Sequence, residues 1–97
     1  PGLFNVLGAK ASIYDLTFED ITVSFTVKLD NGEFVGGFFA YEAREGAQIS
    51  NVRILNGTYN CNFGSNKTST AYEWIAKDAS TTINCDYSGV TIVGAGN

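Results

Sequence analysis

The chain repeats itself, and that repetition narrows the folds open to it more than any other property. Residues Gly2 to Val23, GLFNVLGAKASIYDLTFEDITV, and Gly37 to Tyr59, GFFAYEAREGAQISNVRILNGTY, carry one pattern in different letters. Gly2 aligns with Gly37, and Leu3 and Phe4 align with Phe38 and Phe39, at an offset of 35 residues. With one extra residue in the second copy, Ile13, Asp15, Leu16, Phe18, Asp20, Thr22 and Val23 then align with Ile49, Asn51, Val52, Ile54, Asn56, Thr58 and Tyr59 at an offset of 36. A period of roughly 20 to 50 residues marks a solenoid, a propeller or an array, in which each copy is a unit stacked on the next.

The spacing inside the copies predicts the kind of unit. From Ile13 the apolar residues step by three to Leu16, two to Phe18, three to Ile21 and two to Val23. A step of two keeps side chains on one face of a strand. A step of three inserts one residue that turns the chain and returns the next apolar side chain inward, which puts Asp15 and Asp20 at corners. Neither a straight strand nor a helix of period 3.6 has this rhythm. The second copy keeps it through Ile49, Val52, Ile54, Gly57 and Tyr59. Short strands bent at regular corners around one interior describe the coils of a parallel β-helix.

A third, degenerate copy follows. Trp74 and Ile75 stand for Phe38 and Phe39, and Ile83, Asn84, Cys85, Tyr87, Val90 and Ile92 continue the rhythm after a connection two residues shorter. Down the stack, Leu16, Val52 and Cys85 form one interior ladder and Phe18, Ile54 and Tyr87 another, while Asp15, Asn51 and Asn84 form a corner ladder. Asn and Asp suit such corners because they tolerate the left-handed backbone, and stacked Asn side chains bond to one another. The reading is one all-β domain over residues 1–97, a short parallel β-helix of about three coils at approximately 2–35, 36–70 and 71–97. An antiparallel β-sandwich is the alternative. Asp30, Asn31, Gly32 and Glu33 form the strongest turn in the chain, and Asn31-Gly32 would let TVSFTVKL and EFVGGFFAY pair as a hairpin.

Composition bounds the partners. Charged residues make up 16% of the 97, against roughly 25% in ordinary domains, so the surface is rich in Thr, Ser, Asn and Gly. A formal net charge of −4 argues against nucleic acid, whose binding rests on clustered Lys and Arg, and against an anionic membrane surface. No apolar run approaches the ~20 residues of a membrane helix, and no signal peptide is legible. The chain begins Pro1-Gly2 and holds no Met, so it reads as a processed product or a segment of something longer. The first repeat begins at Gly2 and leaves no room upstream for the polar cap that solenoid ends carry.

Gly36 and Gly37 interrupt a large apolar run. No Lys-bearing helix start follows them, as a phosphate loop requires, so they read as a bulge or tight corner beside Phe38 and Phe39. Asn60 to Thr70, NCNFGSNKTST, has loop composition. Asn56-Gly57-Thr58 and Asn66-Lys67-Thr68 fit the glycosylation pattern of secreted proteins, with Asn66 the more exposed because Asn56 has a corner to hold.

The segments GLFNVLGAKASIYDLTFEDITV and VGGFFAYEAREGAQISNVRILNGTY resemble the GLUG-type repeats of secreted bacterial surface proteins. These have a glycine pair or Gly-Leu, two apolar residues, a glycine-containing loop and an Ile-x-Asn-apolar stretch. Ile49-Ser50-Asn51-Val52 fits that last element, Ile13-Tyr14-Asp15-Leu16 fits with Asp for Asn, and Ile83-Asn84-Cys85 is one residue short. The resemblance covers roughly two thirds of the chain, and its motif is short and degenerate. It implies right-handed parallel β-helix coils, found in cell-surface adhesins and in non-catalytic portions of secreted proteases that cleave immunoglobulin A. It supplies no catalytic residue.

The residues themselves offer no catalytic, metal or cofactor set. The absence of His removes the commonest general base, the Ser and Cys triads and most zinc sites. Asp15, Glu19 and Asp20 are the densest carboxylates and could hold a hard cation or serve a glycosidase, but two of them are corner residues. Tyr72, Glu73 and Trp74 could form a sugar-stacking platform, set against the reading in which Trp74 fills the interior. Two cysteines in an apparently secreted chain suggest a Cys61–Cys85 disulfide, which would restrict the unfolded chain by about 3 kcal/mol. The alignment also puts Cys61 under Phe25 and Cys85 under Val52, both interior, where a free thiol packs as a small apolar group.

Two functions are expected from different classes. The first is a non-catalytic extracellular or cell-surface building block that stacks end to end, with neighbouring repeats or with copies of itself, into a fibre, stalk or larger adhesin. The second is a binding module in which Tyr72 and the Thr and Asn rows recognise a carbohydrate or host protein. Enzyme activity is not expected.

Overall fold

The computed structural model describes residues 2–26, 35–62 and 70–94. Among them there is no helix, and the chain is all-β. The strands are β1 (Phe4–Leu7), β2 (Ser12–Glu19), β3 (Thr22–Thr26), β4 (Val35–Gly37), β5 (Ala40–Ala43), β6 (Gln48–Leu55), β7 (Gly57–Asn62), β8 (Thr70–Tyr72), β9 (Ile75–Asp78), β10 (Thr81–Ile83) and β11 (Val90–Val93). They make four sheets, ordered β1-β5-β9, β2-β6-β10, β3-β7-β11 and β4-β8. Every pairing between these strands is parallel. Each strand therefore pairs with its counterpart one repeat along the chain, and the described residues form three layers: β1–β3, β4–β7 and β8–β11.

This arrangement overturns the antiparallel sandwich. β3 lies parallel to β7 and β4 parallel to β8, so the described parts of the two hairpin arms pair with other strands and not with each other. A repeating sequence puts matching side chains over one another only when strands run the same way. The Asn31-Gly32 turn lies outside the described residues.

The register corrects the sequence alignment at two places. Phe4 pairs with Ala40, Ser12 with Gln48 and Thr26 with Asn62, so the offset is 36 from β1 onward and the second copy has no extra residue. Phe4 N donates to Phe39 O at 2.9 Å or less, namely 2.8 Å, which sets Phe4 opposite Ala40 and leaves its ring edge-on to Phe39 at 5.3 Å. In the third layer Ile75 pairs with Ala40, so Trp74 lies at the position of Phe39 and not of Phe38. Likewise Thr82 pairs with Ile49 and Ile83 with Ser50, which turns Ile83 outward. The two-residue shortening is present: Ala43 and Gln48 are joined by four residues, whereas their partners Asp78 and Thr81 are joined by two.

The core belongs to the middle layer. Among the described residues, ten of the fourteen buried apolar side chains lie in residues 35–62, with Phe38, Phe39, Ile49, Val52, Ile54 and Tyr59 the largest fully buried. A side chain there has a layer on both sides, whereas one in an outer layer has only one. Leu16, opposite Val52, is consequently 45% exposed, and Tyr87, at the register of Ile54, is 40% exposed. Gly37 fits the tight-corner reading, because a Cβ there would meet Ala40 O at 2.1 Å and the backbone of Trp74 and Ala76 within 3 Å.

The corners form where the steps of three predict them. Asp15, Asp20, Asn51, Asn56 and Asn84 all have φ between 53° and 57°, the left-handed region that costs most residues about 1–2 kcal/mol. Asp and Asn occupy it more readily because their short polar side chains bond locally. We predict that Asn51→Ala lowers the stability measured by urea unfolding by about 2 kcal/mol, from the left-handed backbone and the lost amide bonds together. Asn51→Gly, which keeps the backbone freedom and loses only the bonds, is expected to cost about half as much. Equal losses would mean that the backbone conformation at residue 51 carries no energetic weight.

Candidate functional site

The polar groups that the fold brings together are the corner side chains. Asn51 Nδ2 donates to Asp15 Oδ1 at 3.0 Å, and Asn84 Nδ2 donates to Asn51 Oδ1 at 2.6 Å. At the other corner Asn56 Nδ2 donates to Asp20 Oδ1 at 2.7 Å. Residues 36 and 33 positions apart meet because the strands that carry them are in register, and all five side chains are exposed. The second corner has no third rung: Gly89 stands at the position of Asn56, and a Cβ there would meet Ile54 O at 2.5 Å.

The third layer makes its remaining turns with local bonds. Asp86 Oδ1 accepts from Ser88 N at 2.9 Å and Ser88 Oγ at 2.7 Å, and Asp78 Oδ1 accepts from Ser80 N at 2.9 Å and Ser80 Oγ at 2.5 Å. The bonds from Ser88, with a smaller contribution from Arg53, hold the Asp86 carboxyl below its usual range. Beside Asp78 an open depression of about 340 Å³ is lined by Glu42, Arg44, Glu45, Lys77 and Asp78. Its cations are engaged nearby: Arg44 Nε lies 3.6 Å from Glu42 Oε2, and Lys77 Nζ sits over the Tyr41 ring at 5.3 Å. Among the described residues no group of three or more His, Cys, Asp or Glu side chains is arranged to hold a metal ion. Asp15 and Asp20 occupy separate corners, each bonded to an Asn, and do not converge as a cation site or a glycosidase pair would require.

The aromatic candidates separate. Trp74 is 7% exposed and stacked between Phe39, at 4.2 Å, and Tyr87, at 4.8 Å. Its Nε1 is buried without a hydrogen-bond partner. Tyr72, 43% exposed, lies in β8 opposite Gly37. The two rings therefore do not form a shared platform, because Trp74 is turned into the stack. The partner that sequence reasoning missed for Trp74 is Tyr87, whose place one register position past Asp86, opposite Ile54, depends on the shortened connection.

The cysteines are both free thiols, which corrects the expected disulfide. Cys61 is in β7 opposite Phe25, whereas Cys85 follows β10 at the register of Val52. They belong to different sides of the layers, and the one-dimensional stacking that fixes their registers keeps them there. Cys61 Sγ donates to Tyr59 O at 3.7 Å, and Cys85 Sγ lies 3.5 Å from Ile83 O and 3.7 Å from Ile49 O. Burial pushes the Cys61 thiol from about 9 up to about 11. Burial, and secondarily Cys61, pushes the Tyr59 phenol up as well. Of the glycosylation candidates, Asn56 has its Nδ2 engaged by Asp20, and Asn66 lies outside the described residues. No described helix is long and apolar enough to cross a membrane.

Comparison with protein-family models, with curated proteins and with solved structures returned no match.

The burial difference between the thiols has a chemical readout. Alkylation of the native protein near pH 8, followed by mass spectrometry, is expected to modify Cys85 well before Cys61, because only a thiolate attacks and Cys61 is both covered and slow to ionise. In urea the two should react alike. The folded chain keeps the Cys61 proton between pH 9 and 11 while the unfolded chain releases it, so stability should fall through that window. Equal labelling of both thiols in the native state would contradict the placement of Cys61 in the interior.

Proposed function

We propose that this chain is a non-catalytic structural building block of an extracellular or cell-surface assembly. Its three layers are coils of a right-handed parallel β-helix that stack on neighbouring coils to extend a stalk, fibre or larger adhesin. The observation that carries the reading is the Asp15–Asn51–Asn84 ladder, in which one side chain from each repeat bonds to the next at the same left-handed corner. A ladder of this kind joins like to like along one axis, so its chemistry serves extension.

The remaining support is of the same kind. Interior side chains follow each other in register, Leu16 on Val52, Phe18 on Ile54, Val23 on Tyr59 and Phe25 on Cys61. The side-chain hydrogen bonds between Asp, Asn and Ser lie at corners and turns, and among the described residues no group of three or more His, Cys, Asp or Glu side chains comes together. The resemblance to GLUG-type repeats points the same way and supplies the expected handedness and the surface location. The carbohydrate-binding reading loses Trp74, which is turned inward, and keeps Tyr72 and the exposed Thr and Asn rows.

Inserting a second copy of residues 36–70 after residue 70 tests the stacking. In a solenoid each repeat contacts only its neighbours, so the enlarged protein should fold cooperatively, raise the urea m-value in proportion to its added surface, and lengthen by about 4.8 Å along the stack in small-angle scattering. An insert that unfolds or adds no length would overturn stacked coils. The same preparation, screened against a glycan panel, is expected to give no saturable binding. Binding that is abolished by Tyr72→Ala would establish the binding module instead.

A further inference from the structure

The corner ladders have a direction, and it is forced by the carboxylates. Ionised Asp15 only accepts, so Asn51 must turn its amide nitrogen toward the first layer, as it does at 3.0 Å. The Oδ1 of Asn51 is then left for the third layer, where it accepts from Asn84 Nδ2 at 2.6 Å. Asn84 has turned its amide nitrogen inward to make that bond, and its Oδ1 is the atom left to continue the ladder at the outer end. The second corner repeats the choice, with Asn56 donating to Asp20 at 2.7 Å. Both ladders thus finish in acceptors: two carboxylates at the β1–β3 side and an amide oxygen at the β9–β11 side.

Charge is distributed in the same sense. Residues 2–26 carry Lys10 against Asp15, Glu19 and Asp20, and residues 70–94 carry Lys77 against Glu73, Asp78 and Asp86. The middle layer balances Arg44 and Arg53 against Glu42 and Glu45. Among the described residues the two outer layers are therefore acidic and the layer between them is neutral. The apolar side chains at both outer edges, among them half-exposed Leu16 and Tyr87, would favour any neighbour, so selection falls to the corners.

We propose that Asp15 and Asp20 act as a gate on the β1–β3 edge. They accept a neighbouring strand layer that brings hydrogen-bond donors or positive charge, from Lys, Arg or an amide nitrogen, to both corner positions. They turn away the β9–β11 edge of a second copy of this chain. Head-to-tail stacking of two copies would set the Asp15 carboxylate against the Asn84 oxygen, acceptor against acceptor, and would join two acidic layers. Head-to-head stacking would set each carboxylate against its own copy. The gate, which rests on the stacking reading above, names the partner of that surface: a donor-bearing edge of another repeat, not this one.

The test replaces acceptors by groups that both donate and accept. Asp15→Asn/Asp20→Asn keeps side chains that tolerate φ near 55°; the amide at residue 15 can continue the ladder onto Asn84 of the next copy, while the one at residue 20, whose corner meets Gly89 there, removes a negative charge from the edge. Sedimentation velocity of both proteins, with circular dichroism of each to verify the β fold, should find the wild type monomeric in low salt. The double variant should form head-to-tail assemblies at concentrations on the order of tenfold lower than any at which the wild type associates. Asp15→Asn alone should fall between them. Assembly of both proteins at the same concentration would leave stacking in place and overturn the gate. Two proteins that stay monomeric throughout would overturn the gate together with the end-on stacking that it presupposes.

Discussion

Everything in this molecule depends on one constraint, that each strand must return to lie parallel and in register with the strand one repeat earlier. Parallel pairing leaves no freedom for a tight hairpin between partners, so the chain travels through three other strands before it meets the next rung. That journey has a fixed length only if its corners are fixed. The left-handed residues at 15, 20, 51, 56 and 84 do this, each bending the backbone by one residue without changing which face points inward. The side-chain bonds between corners then tie the bend of one layer to the bend of the next. Register and corner are thus one device, and neither would be stable without the other.

How legible this was differs from element to element. The corner positions are written in the sequence, because the taste of Asn and Asp for the left-handed region is a local property that no distant contact needs to supply. The interior pairs from Ile13 to Phe25 are legible for the same reason, since steps of two and three leave one solution for what faces inward. The single-residue shifts were not legible. Trp74 matches Phe38 as well as Phe39 in letters, and the register of the flanking pairs, Tyr72 opposite Gly37 and Ile75 opposite Ala40, decides between them. A one-residue slip in a connection changes no composition, yet it moves Ile83 from inside to outside.

The candidate site was legible in part, and the misses share a cause. Asp15, Asn51 and Asn84 could be assigned to one ladder from spacing, but their donor and acceptor roles follow from which rung holds the carboxylate and become visible only when the three are stacked. The cysteine pair misleads because an even count is a statement about chemistry, whereas a bond is a statement about distance. Cys61 and Cys85 each stand under an apolar residue of the preceding layer, and packing there satisfies both without a bond. Tyr72 and Trp74 lie two residues apart, which in a straight strand gives one face. The break between β8 and β9 separates them, sending Trp74 into the aromatic stack with Phe39 and Tyr87.

A stack of parallel strands has an energetic weakness at its two ends, where apolar side chains and unpaired backbone groups invite any further strand. With so few charged residues to deploy, this chain cannot protect those ends by general repulsion. It concentrates acidic groups in the outer layers, keeps the middle layer neutral and puts two carboxylates where a ladder would otherwise continue. An Asn in the same positions would satisfy the left-handed backbone equally well and would still accept from the Asn of the next layer, through a neutral bond in place of a charge-assisted one. The difference between Asp and Asn at residues 15 and 20 therefore contributes little to holding the fold and much to deciding what can be added to it. Specificity at an edge made of repeating units can come from nothing larger than the exchange of one amide for one carboxylate, because each layer offers its neighbour only a single rung per corner.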